Sequence, residues 1–149
     1  MKSFNVALAA SISLAMASIS AGAQDAYVIG INSALTGPGA STVAGAAEGL
    51  KLYIEKLNKS GGINGRQVKL VVQDDQGEPS KAAANAKKLL TQDNVSLLIN
   101  TSLSSTFAPM IAEAQRAAVP LLFAGSVCPP DVYPPANEFL FCTTSHSAA

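Results

Sequence analysis

The chain has 149 residues, 10 Lys+Arg against 10 Asp+Glu, one His and two Cys. Charged residues make up 13% and apolar residues 48%, a balance that excludes intrinsic disorder, and the length suits a single domain with a real core. Zero net charge with no basic stripe excludes a bulk electrostatic nucleic-acid binder, so no nucleic-acid partner is expected.

The first segment reads as an export signal. Met1-Lys2 is a short positive start, and Phe4 to Ile19 carries no charge and is rich in Ala, Leu, Ile and Val. It closes on Ala21-Gly22-Ala23, the small-residue pattern that signal peptidase cleaves, which places cleavage before Gln24. Asn5, Ser11, Ser13, Ser18 and Ser20 interrupt the stretch, which argues against a spanning anchor. The expected product is residues 24–149, soluble and periplasmic.

Strand and helix signals then alternate. Tyr27 to Asn32 is apolar on both faces, as a buried parallel strand should be. Thr36-Gly37-Pro38-Gly39 breaks it, and a helix is expected from Ser41, with Val43, Ala46, Ala47, Leu50, Ile54 and Leu57 on one face. Ser60-Gly61-Gly62 stops that helix. Val68 to Val72 reads as a second strand, Asp74 to Gly77 as a turn, and Pro79-Ser80 as the start of a helix burying Ala82, Ala83, Ala86, Leu89 and Leu90. Val95 to Ile99 is a third strand. Ser104-Ser105 should cap a third helix with Phe107, Ile111, Ala114 and Ala118 on its apolar face, and Val119 to Phe123 is a fourth strand. A Pro-rich loop with Pro129, Pro130, Pro134 and Pro135 leads to a short extended run, Phe139 to Thr143. The alternation predicts an α/β fold, a parallel sheet with helices on both faces.

Ligands of such sheets sit outside the carboxyl ends of the strands. Three polar, small-residue loops converge there: Ser33 to Thr42, Asn100 to Ser105, and Ala124 to Val127. Two of them feed helix N-termini, where unpaired N–H groups and the helix dipole favour an anion. The Ser104 and Ser105 hydroxyls add donors and acceptors. The alternative for these serines is plain helix capping.

Enzyme motifs are lacking. Gly37-Pro38-Gly39 does not make a dinucleotide fingerprint, there is no phosphate-binding G-K-[ST], and there is no G-x-S-x-G elbow. Asp74 and Asp75 are adjacent at a strand end, where side chains point apart, so a turn is the better reading than an acid–base pair. Cys128, Cys142 and the lone His146 are too few for a structural zinc site. No enzyme activity, metal or cofactor is expected. In an oxidising compartment Cys128 and Cys142 are expected to pair across the Pro-rich loop, the alternative being two buried thiols.

Several runs carry a resemblance. Ile29-Gly30-Ile31, Leu35-Thr36-Gly37-Pro38, Gly45, Gly49, Asn58-Lys59-Ser60-Gly61-Gly62-Ile63-Asn64-Gly65, Asp74-Asp75 and Val119-Pro120-Leu121-Leu122 together resemble the opening of periplasmic branched-chain amino-acid-binding proteins of ABC transporters. This is the leucine/isoleucine/valine-binding type, with a type I periplasmic binding fold. The resemblance implies capture of a small solute between two α/β lobes and delivery to an inner-membrane ABC permease. It implies that Ser104, with Ser105 beside it, and the Gly125-Ser126-Val127 loop hold the ligand's carboxylate and ammonium. Thr42 falls where some members place an aromatic wall residue. Val127 stands where amino-acid binders commonly carry a threonine hydroxyl, with Ser126 as a possible substitute, so related small carboxylates, including aromatic acids, stay open. Cys142 stands where members often carry an arginine. Members run to more than twice this length, so the chain is expected to be a partial first lobe: a fragment, a truncated reading frame or a degenerate copy. The other reading is a stand-alone exported interaction module whose open sheet edge pairs with a partner.

Overall fold

Parallel strands cannot be joined by a hairpin, so each return requires a crossover, and helices supply it here. The computed structural model describes residues 25–125, 127–132 and 137–143. The export signal over 1–23, Ser126 and His146 lie outside the described residues. Five strands, β1 (Tyr27–Ser33), β2 (Val68–Asp74), β3 (Leu97–Asn100), β4 (Leu121–Phe123) and β5 (Leu140–Cys142), form one sheet in the order β2-β1-β3-β4-β5. Every pairing is parallel. Three helices, α1 (Ala40–Lys59), α2 (Pro79–Thr91) and α3 (Phe107–Ala117), make the crossovers between the first four strands.

Strand alternation sends successive side chains to opposite faces. One face gathers Leu98, Leu121, Phe123 and Leu140 against Ala82, Ala86 and Leu89 of α2 and Phe107, Met110, Ile111 and Ala114 of α3. The other gathers Ile31 and Ile99 against Ala47 of α1. The expected helices on both faces are therefore present. Phe107 and Phe123 meet edge to face with ring centroids 4.8 Å apart, worth about 0.5–1.5 kcal/mol beyond the area they bury.

The apolar spacing of α1 buries Val43, Ala47 and Ile54; Ala46, expected on that face, is exposed because it lies on the helix flank. The helix ends where Gly61 takes a left-handed conformation and the Gly62 N–H reaches the Leu57 carbonyl at 2.9 Å, as its Gly-Gly pair implied. Ala118, expected on the apolar face of α3, is instead its exposed left-handed C-cap, at φ 52°. The third strand begins at Leu97, since the Val95 N–H bonds back to the Leu89 carbonyl at 3.2 Å as part of the α2 exit. The fourth begins at Leu121, because the Val119 N–H bonds to the Ala114 carbonyl at 3.1 Å.

Cys128 and Cys142 form the expected disulfide, with Cα atoms 5.9 Å apart. It ties the loop after β4 to the end of β5, across a segment whose regular structure among the described residues is a single 3₁₀ turn, Pro130–Val132.

Candidate functional site

The strand order reverses between β1 and β3: β2 lies on one side of β1, and β3, β4 and β5 follow on the other. The chain leaving β1 enters α1 on one sheet face, and the chain leaving β3 enters α3 on the opposite face. Divergence of this kind opens a crevice at the carboxyl edge. A hollow of about 400 Å³ lies there, lined by Thr42, Val43, Ser102, Leu103, Ser104, Ser105, Phe107 and Val127.

The structure thus brings Thr42, Ser104, Ser105 and Val127 together. Gly125 is not part of the lining; a Cβ built on it would sit 3.7 Å from the Ser102 carbonyl oxygen, so it packs behind the serine loop. Ser126 lies outside the described residues. Ser102 and Leu103 lie within the 100–105 loop expected at this edge, whereas sequence reasoning missed Val43 and Phe107 as lining residues. Phe107, expected on the apolar face of α3, sits where the helix meets both the core and the hollow.

The serines do not cap α3 as expected. Ser104–Thr106 is a 3₁₀ turn preceding the helix, and the residue at the N-cap of α3 is Thr106. The Thr106 hydroxyl donates to the Leu103 carbonyl at 2.7 Å and accepts from Asn100 Nδ2 at 3.1 Å. The Ser105 hydroxyl donates to the Gly77 carbonyl at 3.0 Å. The Ser104 hydroxyl is exposed and makes no hydrogen bond among the described residues. As the opening residues of the turn, Ser104 and Ser105 also present N–H groups with no intrahelical acceptor. The arrangement offers donors to an anion, and among the described residues none lining the hollow is charged.

Beneath the hollow runs a polar network. Asp75 is fully buried; its Oδ2 accepts from Asn32 Nδ2 at 2.5 Å, and its Oδ1 accepts from the Ser102 hydroxyl at 2.7 Å and the Gly77 N–H at 2.8 Å. Asp74 points the other way, to the loop after β1. It accepts from the Leu35 N–H at 2.9 Å, the Thr36 hydroxyl at 2.5 Å and the Gln76 N–H at 3.0 Å. The turn expected at Asp74-Asp75 is present, and the two carboxyl groups point apart. Partial burial pushes the Asp74 pKa up, but the Thr36 hydroxyl and the N–H groups of Gln76, Leu35 and Thr36 outweigh it and hold the carboxyl below its ordinary value.

A second groove of about 510 Å³ shares Ser104, Phe107 and Val127 with the hollow and continues along α3 past Ile111 to Pro129 and Pro130. Among the described residues no group of three or more His, Cys, Asp or Glu is placed to hold a metal ion. The disulfide takes up both thiolates of the zinc set considered from sequence. No helix among the described residues is long and apolar enough to cross a membrane.

Comparison with known proteins agrees with this architecture. A profile of the family described as "Periplasmic binding protein" matches residues 26–149. An "Amino acid binding protein" of Pseudomonas aeruginosa is 34% identical over 102 residues, covering 68% of this chain and 27% of that protein. Among solved structures, the branched-chain amino acid transporter substrate-binding protein LivJ of Streptococcus pneumoniae, in complex with isoleucine, superposes with a TM-score of 0.71 at 28% identity. That match covers 78% of this chain and 33% of LivJ. The solute-binding protein of an ABC transporter from Rhodopseudomonas palustris, in complex with 3,4-dihydroxybenzoic acid, shares the fold with a TM-score of 0.67 at 21% identity, covering 80% of this chain and 32% of that one. The chain therefore spans between a quarter and a third of the length of these proteins. From the profile match over nearly all of the described residues and the parallel sheet in common with LivJ, this chain belongs to the periplasmic binding protein family.

Proposed function

We propose that this chain is the first-lobe portion of an exported, non-catalytic substrate-binding component of an ABC transporter, and that its hollow takes the carboxylate of an amino acid or another small acid. The observation that carries the reading is the Ser104 hydroxyl, which has no partner among the described residues and lines a hollow with Ser105, Thr42 and Val127 and no charged residue among those described. A carboxylate placed there meets hydroxyl and N–H donors at a helix start, which favours negative charge. Among the described residues no acidic side chain lines the hollow to pair with an ammonium group, and Val127 offers no hydroxyl. The acid group is therefore the feature this half-site reads, and isoleucine and 3,4-dihydroxybenzoate, the ligands of the two structural relatives, are the natural probes. In this reading the Ala21-Gly22-Ala23 segment is cleaved on export to the periplasm, and an inner-membrane ABC permease receives the solute.

A half-site binds weakly. A few charge-assisted hydrogen bonds of roughly 1.5–3 kcal/mol each are set against an association cost of at least about 4 kcal/mol, so the dissociation constant should be on the order of millimolar. Titration calorimetry with both probes tests the reading. Binding in the millimolar range that is lost in Ser104→Ala and with isoleucine methyl ester is the expected result. Micromolar binding by this chain, unaffected by Ser104→Ala, would show that the ligand sits elsewhere.

A further inference from the structure

Among the described residues Asp75 has no ion-pair partner. The ion pairs among the described residues are Lys81–Glu78 and Arg116–Glu113, both on the surface. Its carboxyl is instead held by three dipolar donors: Asn32 at the end of β1, Gly77 in the turn after β2, and Ser102 in the loop after β3. A buried polar group whose partners are all present rigidifies the elements it joins, and here one side chain joins three strand-end loops.

The loop after β3 depends on that junction. The Ser102 N–H is held by Asn100 Oδ1 at 2.8 Å and the Ser102 hydroxyl by Asp75. The Leu103 carbonyl is held by the Thr106 hydroxyl, and the Ser105 hydroxyl by the Gly77 carbonyl. Leu103 is also wedged between the first two loops; a Cβ added to either Gly39 or Gly77 would lie 2.7 Å from Leu103 Cδ1. Within 102–106 the Ser104 hydroxyl is left without a partner among the described residues; Thr101 Oγ1, buried at the start of the loop, also has none. The loop is thus anchored on either side of Ser104, which lines the hollow.

We propose that Asp75, which never touches the ligand, is a positioning residue for the hollow: through Ser102 and Gly77 it fixes the 102–106 loop so that Ser104 and the opening N–H groups of the turn are already aimed when the ligand arrives. This rests on the functional reading above. Preorganisation acts on affinity, because a loop ordered beforehand is not ordered at the expense of binding. An asparagine at 75 keeps the size but replaces one acceptor with a donor. That donor would face either Asn32 Nδ2 or the pair formed by the Ser102 hydroxyl and the Gly77 N–H, so the network cannot close.

The test uses the whole chain, with Asp75→Asn, Ser102→Ala and the double variant. Two quantities are read: amide hydrogen exchange, and affinity for isoleucine and 3,4-dihydroxybenzoate by calorimetry. Ser102→Ala cuts the same link with a milder change and guards against a fold lost in Asp75→Asn. The expected result is about tenfold faster exchange in 102–106 with β1 unchanged, about tenfold weaker binding, and a double variant no worse than Asp75→Asn alone, since both changes break one link. Two outcomes would overturn the proposal: variants that exchange and bind as the parent does, or exchange raised equally in β1 and the loop, which marks a role in general stability only. Failure of the parent chain to bind either probe would sink the functional reading separately, and the exchange pattern would still decide what Asp75 does.

Discussion

Single residues at the carboxyl edge show how close the loops must approach. Gly77 has φ +76°, and a Cβ there would meet Leu103 Cδ1 at 2.7 Å. Gly77→Ala should therefore cost about 1–2 kcal/mol from the left-handed backbone alone, with more from moving Leu103, visible as a lowered thermal midpoint. Asp74 links the loop after β1 to pH. Its folded pKa is lowered from 3.8, so its contribution is fully present above that value and is lost as the pH falls through the lowered one. Acid titration of stability should show this loss below pH 3.8, and Asp74→Asn should flatten that part of the curve. The opposed directions of Asp74 and Asp75 were legible, because neighbouring side chains at a strand end diverge. What Asp75 bonds to was not, since Asn32 and Ser102 are brought beside it only by the order of the strands.

At the scale of elements, periodicity served the helices well. Val43, Ala47 and Ile54 recur on one face of α1, and Ala82, Ala86 and Leu89 on one face of α2, and these residues are buried. Strand ends were less legible. Val95 and Val119 are β-branched and apolar, yet their N–H groups close the ends of helices. The extended run expected at 139–143 is present as a fifth strand, Leu140–Cys142, and its parallel pairing to β4 is what the pattern of three residues does not announce. The serines at 104 and 105 were recognised as important through the start of a helix, but the 3₁₀ turn before α3 moves the cap to Thr106 and leaves them for the hollow. The disulfide holds the loop after β4 at its far end, next to Val127. Reduction should lower stability by about 3 kcal/mol in the chain-entropy picture. Chemical unfolding with and without reductant measures it, and an unchanged midpoint would show that the loop is held by packing alone.

For the whole molecule, the sheet order matters more than any one motif. With β2 on one side of β1 and β3 on the other, loops from both sheet faces meet over the central strands, and the hollow is the result. The described structure covers about a third of the solved relative LivJ, so the proposed affinity is that of a half-site. Joining a second lobe should tighten it by orders of magnitude, because closure excludes water and adds contacts on the far side of the ligand. Whether the hollow takes a small acid is decided by a residue-resolved NMR titration of the chain with isoleucine and with 3,4-dihydroxybenzoate. Saturable amide shifts concentrated at Thr42, Ser102 to Ser105 and Val127 are expected, with a midpoint on the order of millimolar; shifts confined to other surfaces would place the ligand outside the hollow.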